Sequence, residues 1–123
     1  MDSCLINRYR QDGRLGLHRD ASEPATTAPV VTISLGDSAA FLIGGAQRQD
    51  PLRKVVVASG DGLVMSGAAR HYYHGVAGIL PGSSSLVPGG GRISLTIRQV
   101  WRRGQAVQGA QAGGRARSLR DAA

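Results

Sequence analysis

Short apolar runs separated by Gly, Pro, Asp or Ser punctuate the first hundred residues of this chain: CLINRY, LGLH, PVVTISLG, AAFLIGG, RKVVVASG, GLVMSG, RHYYHGV and GRISLTIRQV. None carries the i, i+3, i+4, i+7 stripe by which a helix buries one side. Val, Ile and Thr, whose branched Cβ favours extended backbone, dominate several of them. Eight runs of strand length at this spacing predict an all-β fold, a sandwich, barrel or jelly roll. Eighteen glycines in 123 residues, about twice the ordinary share of roughly 7%, agree with many turns. The length suits one domain.

The stretch 102–123 differs from the rest. It is rich in Ala, Gln and Arg, and four glycines interrupt it. Its only large apolar side chains are Val107 and Leu119, too few to offset the entropy of ordering it. A basic tail, disordered or partly helical, is therefore expected after a core of residues 1–101. The chain has 15 basic and 8 acidic residues, a net charge of +7, and five arginines against Asp121 place +4 of it in the tail. Such a surplus suits a polyanionic partner. The Gly- and Ser-rich segment 78–92 reads as a flexible loop.

The lone Cys4 excludes an internal disulfide and a thiolate-only zinc site, and reads as a small buried apolar side chain. Trp101, past the last strand-like run, reads as a packing residue. The opening MDSCLINRYRQDGR is unlike a secretory signal and no apolar run is long enough to span a membrane, so a cytoplasmic protein is expected.

Chemistry concentrates in four places. Side chains two apart on a strand share a face, so His18 and Asp20 project together while Arg19 points away. A further histidine stands in ARHYYHGV, where alternation puts Arg70, Tyr72 and His74 on one side and His71 and Tyr73 on the other. Either His71 or His74 therefore completes a set of two histidines and one carboxylate, the facial triad suited to non-haem Fe(II). In GRISLTIRQV, Arg92, Ser94, Thr96 and Arg98 share a face opposite Ile93, Leu95 and Ile97. Two arginines on the polar side, with the apolar side packed, form a receptor for a dicarboxylate, or else an edge strand with solvated cations. Leu5, Asn7 and Tyr9 likewise share a face and supply an amide and a phenol.

The combination N-x-Y, H-x-D-x-x-E-P, GD…SG…R…YHG and R-x-S-L-T-x-R closely resembles the AlkB family of Fe(II)- and 2-oxoglutarate-dependent dioxygenases, over about residues 4–100. The resemblance implies a double-stranded β-helix, a jelly-roll variant. It implies His18, Asp20 and His74 as iron ligands, with Arg92 on the distal carboxylate of 2-oxoglutarate and Arg98 near its metal-chelating end. Asn7, Tyr9 and Ser94 would complete the cosubstrate pocket, with Leu5 and Leu17 as its apolar wall. Arg48 matches a basic residue near the bound nucleic acid, and Glu23 belongs to the motif without an assigned role.

The implied reaction is oxidative dealkylation of N-alkylated bases in DNA or RNA. It consumes O2 and 2-oxoglutarate, yields succinate, CO2 and an aldehyde, and acts on a base that is unpaired or flipped out. A monomer is expected. Ser94 stands where many members have an asparagine, and Ser22 where several have an acidic residue near the base. The family's nucleotide-recognition lid lies upstream of CLINRY, so the resemblance makes this an N-terminally truncated core. The competing reading is a catalytically incomplete fragment that acts as a basic nucleic-acid-binding module.

Overall fold

The structure is a computed structural model that describes residues 1–20 and 27–101; the expected tail 102–123, Ser22 and Glu23 lie outside the described residues. Each apolar run supplies one strand: β1 (Ser3–Tyr9), β2 (Leu15–His18), β3 (Val30–Gly36), β4 (Ala39–Ile43), β5 (Arg53–Val57), β6 (Gly62–Met65), β7 (His74–Ile79) and β8 (Arg92–Arg98). RHYYHGV departs from its expected alternation, because Gly67–His71 forms a 3-10 turn and the strand begins only at His74. His71 is thereby exposed on the turn, while His74 is buried.

The strands form two four-stranded sheets, ordered β1-β8-β3-β6 and β2-β7-β4-β5, and every pairing is antiparallel. The two faces meet around Tyr9, Ala39, Phe41, Val57, Val76 and Ile79, with Leu15, Ile43 and Leu63 against them. The fold is all-β, as the strand count predicts, and is the jelly roll that the resemblance implies. None of the described helices is long and apolar enough to cross a membrane.

The first sheet is polar on its inner side. Tyr9, Arg92 and Gly36 lie opposite one another across β1, β8 and β3, followed by Asn7, Ser94 and Ser34, then Leu5, Thr96 and Thr32. Arg92 and Ser94 are buried, whereas Ile93, Leu95 and Ile97 on the other side are only half-buried. The expected packing of the apolar face is thus reversed, and the polar row is the interior one. Cys4 continues the outer face and is exposed, correcting its assignment to the core. Trp101 is exposed as well, and its backbone N–H donates to Asp2 Oδ2 at 3.3 Å.

The 80–91 connection is tied down, unlike the expected flexible loop. The buried Asp37 carboxylate accepts the Ser84 N–H at 3.0 Å and the Gly91 N–H at 2.9 Å, and Val87 is buried beneath the loop. Gly36 and Gly91 make the approach possible. Both have positive φ, and a Cβ on Gly91 would stand 2.5 Å from the Tyr9 carbonyl oxygen.

Candidate metal and cosubstrate site

His18 ends β2 directly opposite His74, which opens β7, so sheet register brings the two rings to a centroid distance of 4.5 Å. Phe41 on β4 stacks on His74 at a centroid distance of 5.9 Å. Asp20 lies beyond the end of β2, so strand alternation alone does not aim it. The Arg70 guanidinium donates through Nη1 to the Asp20 main-chain carbonyl and through Nε to the Ala28 carbonyl at 2.8 Å, pinning that backbone to the 3-10 turn.

Ligand atoms from His18, Asp20 and His74 lie within 4.8 Å of one another. Asp20 Oδ1 stands 3.8 Å from His18 Nε2, and Oδ2 stands 3.5 Å from His74 Nε2. Each imidazole uses Nδ1 on a main-chain carbonyl, His18 on Gly16 at 2.9 Å and His74 on Tyr72 at 3.0 Å. A carbonyl only accepts, so each Nδ1 donates, which leaves each Nε2 as the ring atom that faces the Asp20 carboxylate. The hydrogen bond with His74 lowers the Asp20 pKa, burial opposes it, and the charges of His74, Arg98 and His18 add to the lowering. Two imidazole nitrogens and a carboxylate, with the remaining directions open, fit a divalent iron. The His18 side chain is 38% exposed against 9% for His74, so the open side lies toward His18.

The cleft beside the triad is lined from both sheets by Leu5, Asn7, Tyr9, Leu15, Arg92, Ser94, Thr96 and Arg98 among others. Arg98 Nη1 stands 3.8 Å from Asp20 Oδ1 and so marks the triad end. Arg92 is deeper and 1% exposed. Its Nη2 donates to Ser34 Oγ at 3.0 Å and its guanidinium lies 5.0 Å from the Tyr9 ring centre, but among the described residues Nε and Nη1 have no hydrogen-bond partner. Burial lowers the Arg92 pKa, and the Tyr9 phenol opposes that. A buried cation with two unmet donors suits an incoming carboxylate.

One expected wall residue lies elsewhere. Leu17 is not on the cleft lining; the β2 register shifts between Leu15 and His18, so Leu15 and His18 face inward together. The Leu17 carbonyl instead accepts from Nη1 of the exposed Arg48 at 3.2 Å. Sequence reasoning missed Arg70 and Phe41, which orient the triad from outside it. The only available signal for Arg70 was its place in the GD…SG…R…YHG pattern.

Comparison with known proteins agrees with this geometry. The sequence model of the 2OG-Fe(II) oxygenase superfamily matches residues 1–98. The alpha-ketoglutarate-dependent dioxygenase AlkB homolog of Caulobacter vibrioides is 58% identical over 99 residues, covering 80% of this chain and 45% of the relative. AlkB of Escherichia coli is 42% identical with the same coverage. The DNA N(6)-methyladenine demethylase ALKBH1D of Arabidopsis thaliana is 40% identical over 79% of this chain and 24% of its own. A solved structure titled "The structure of OsALKBH1" superposes with a TM-score of 0.70 at 41% identity, covering 78% of this chain and 48% of that one. The chain spans about half the length of the AlkB relatives it matches. From the superfamily match over residues 1–98 and these likenesses, the chain belongs to the 2OG-Fe(II) oxygenase superfamily and is AlkB-like within it.

Proposed function

We propose that this chain carries out the Fe(II)- and 2-oxoglutarate-dependent dealkylation of N-alkylated bases in DNA or RNA. The observation that carries the reading is Arg92, a buried guanidinium with two unmet donors in the same cleft as the His18, Asp20 and His74 ligand set.

In this reading His18 Nε2, an Asp20 oxygen and His74 Nε2 hold the iron. Arg92 takes the distal carboxylate of 2-oxoglutarate, supported by Ser34 and Tyr9, and Arg98 takes the carboxylate at the chelating end. Asn7 and Ser94 offer an amide and a hydroxyl along the molecule, and Leu5 and Leu15 shield its methylenes. Iron bound here supplies the oxidation, in which O2 and 2-oxoglutarate are consumed, succinate and CO2 form, and a hydroxylated N-alkyl group leaves as an aldehyde. The residues of the chain hold the reactants in place and keep water from the deep end of the cleft.

Nucleic acid as the substrate rests on the AlkB relatives and on the demethylase named among them. The target base reaches the cleft unpaired or flipped out. A monomer acting in the cytoplasm completes the reading. The test is turnover of the full chain with Fe(II), 2-oxoglutarate and single-stranded oligonucleotides bearing N-methylated adenine or cytosine. Succinate and formaldehyde are expected together. Succinate without formaldehyde on any of these substrates would remove the alkylated base and leave the cosubstrate chemistry standing.

A further inference from the structure

Met65 ends β6 with its side chain turned into the cleft. Val64, its neighbour in the strand, is 58% exposed whereas Met65 is buried, as alternation requires of residues on opposite faces. Register fixes the level at which Met65 lies. Along β8 the inward row runs from the buried Arg92 to Arg98, whose Nη1 stands beside Asp20. Thr96 is opposite Thr32, and Thr32 is opposite Leu63; two residues back along β3, Val30 is opposite Met65. Met65 therefore belongs to the triad end of the cleft, whose lining it shares with His18, Asp20 and His74.

Chemically Met65 stands apart from its neighbours. Among the described residues that line the cleft, its thioether is the one sulfur beside aliphatic carbons, hydroxyls, an amide, aromatic rings and guanidiniums. A thioether gives up two electrons to become a sulfoxide far more readily than those groups are oxidised. The other sulfurs of the chain face solvent, Cys4 on the outer side of β1 and Met1 at 59% exposure. Burial shields Met65 from oxidants in bulk water, so the oxidant that reaches it is one generated inside the cleft.

We propose that Met65 is a self-modification site: when 2-oxoglutarate is turned over with no alkylated base in the cleft, the Met65 thioether takes the oxygen and becomes methionine sulfoxide. The step balances. O2 gives one oxygen atom to succinate as 2-oxoglutarate loses CO2, and the other forms the S–O bond. The sulfur lone pair and the 2-oxo acid each supply two electrons, and no proton moves. The sulfoxide sets a polar oxygen in a wall that also holds Val30 and Phe41, so the modified chain turns over more slowly. The proposal rests on the cosubstrate reading above and says what idle turnover does to the protein.

The test reads mass, separate from dealkylation. The full chain is incubated in air with Fe(II), 2-oxoglutarate and catalase but no oligonucleotide, then digested with trypsin. Peptide 55–70 contains Met65 as its only methionine, and peptide 1–8 contains Met1. A gain of about 16 Da, one oxygen atom, is expected on the former ahead of the latter, and only where 2-oxoglutarate is present. A single-stranded oligonucleotide bearing an N-methylated base should slow the gain severalfold by taking the oxygen instead. Met65→Leu, close in volume, should keep its rate of succinate release through the same incubation while the wild type loses it.

Succinate release with Met65 unmodified would overturn the proposal and leave the cosubstrate reading standing. A gain on Met65 that is equal without 2-oxoglutarate, or that trails the gain on Met1, would overturn it as oxidation from bulk solvent. A folded chain that releases no succinate would remove both the modification and the cosubstrate chemistry.

Discussion

The buried Arg70 guanidinium donates to the main-chain carbonyl of Asp20 and binds the Ala28 carbonyl as well. A side chain from the 3-10 turn therefore sets the backbone of a metal-ligand candidate that lies outside any strand. Arg70→Met keeps much of the bulk and removes the donors. Metal affinity is expected to fall about 10- to 100-fold, the usual effect of losing support behind a ligand. Stability should fall by about 1–3 kcal/mol from the unpaired carbonyls. Mn(II) titration and thermal unfolding check the two separately, and a stability loss with unchanged Mn(II) affinity would reduce Arg70 to a purely structural role.

Arg92 should behave in the opposite way. Without a carboxylate it is a buried charge whose Nε and Nη1 have no partner among the described residues, so Arg92→Met is expected to leave the cosubstrate-free protein as stable as before or more so. Affinity for 2-oxoglutarate should fall by about 3–5 kcal/mol, a hundredfold or more. Addition of 2-oxoglutarate with a divalent metal should raise the melting temperature of the wild type but not of the variant. Equal ligand-induced shifts in the two proteins would contradict the assignment.

Ser94 faces the cleft between Asn7 and Ser34 in register, and it is the point where the resemblance leads one to expect an asparagine. Ser94→Asn offers one further hydrogen bond to the cosubstrate. A gain of about 0.5–1.5 kcal/mol, or roughly two- to tenfold in 2-oxoglutarate affinity, is expected in a calorimetric titration. A loss of affinity would show that the row has no room for the longer side chain.

Asp37 predicts how the protein responds to acid. The Gly91 N–H, above all, holds its carboxyl below the ordinary range against the opposing effect of burial. A depressed carboxyl contributes stability that is fully present above the unfolded value of about 3.9 and is lost as pH falls through the lower folded value. Asp37→Asn should therefore be less stable at neutral pH and show a flatter stability curve below about pH 4, as read from urea midpoints. The flattening should be partial, because the Asp20 carboxyl is depressed too. Parallel curves for the two proteins would exclude Asp37 as a source of the acid response.

The strands were legible because period-2 alternation and β-branched residues are local properties. The shared face of Arg92, Ser94, Thr96 and Arg98 follows from the same property and lines the cleft. The depth of that face was not legible, since alternation separates two sides without saying which is interior. Asp20 illustrates the other limit. Its aim depends on Arg70, fifty residues away in sequence, and no local pattern encodes that bond. The 3-10 turn hid inside RHYYHGV because His and Tyr suit a turn as well as a strand. The 80–91 segment looked flexible by composition, but a single carboxylate, Asp37, anchors it from another loop.

Anaerobic addition of Fe(II) and then 2-oxoglutarate to the full chain, followed by visible absorption, tests whether the cleft holds both. A weak charge-transfer band that saturates at one equivalent of each is expected. The band should be absent in His74→Ala and should need far more 2-oxoglutarate in Arg92→Met. A folded wild-type chain that gives no band at any 2-oxoglutarate concentration, or a band that persists in His74→Ala, would contradict the assignment of the cleft.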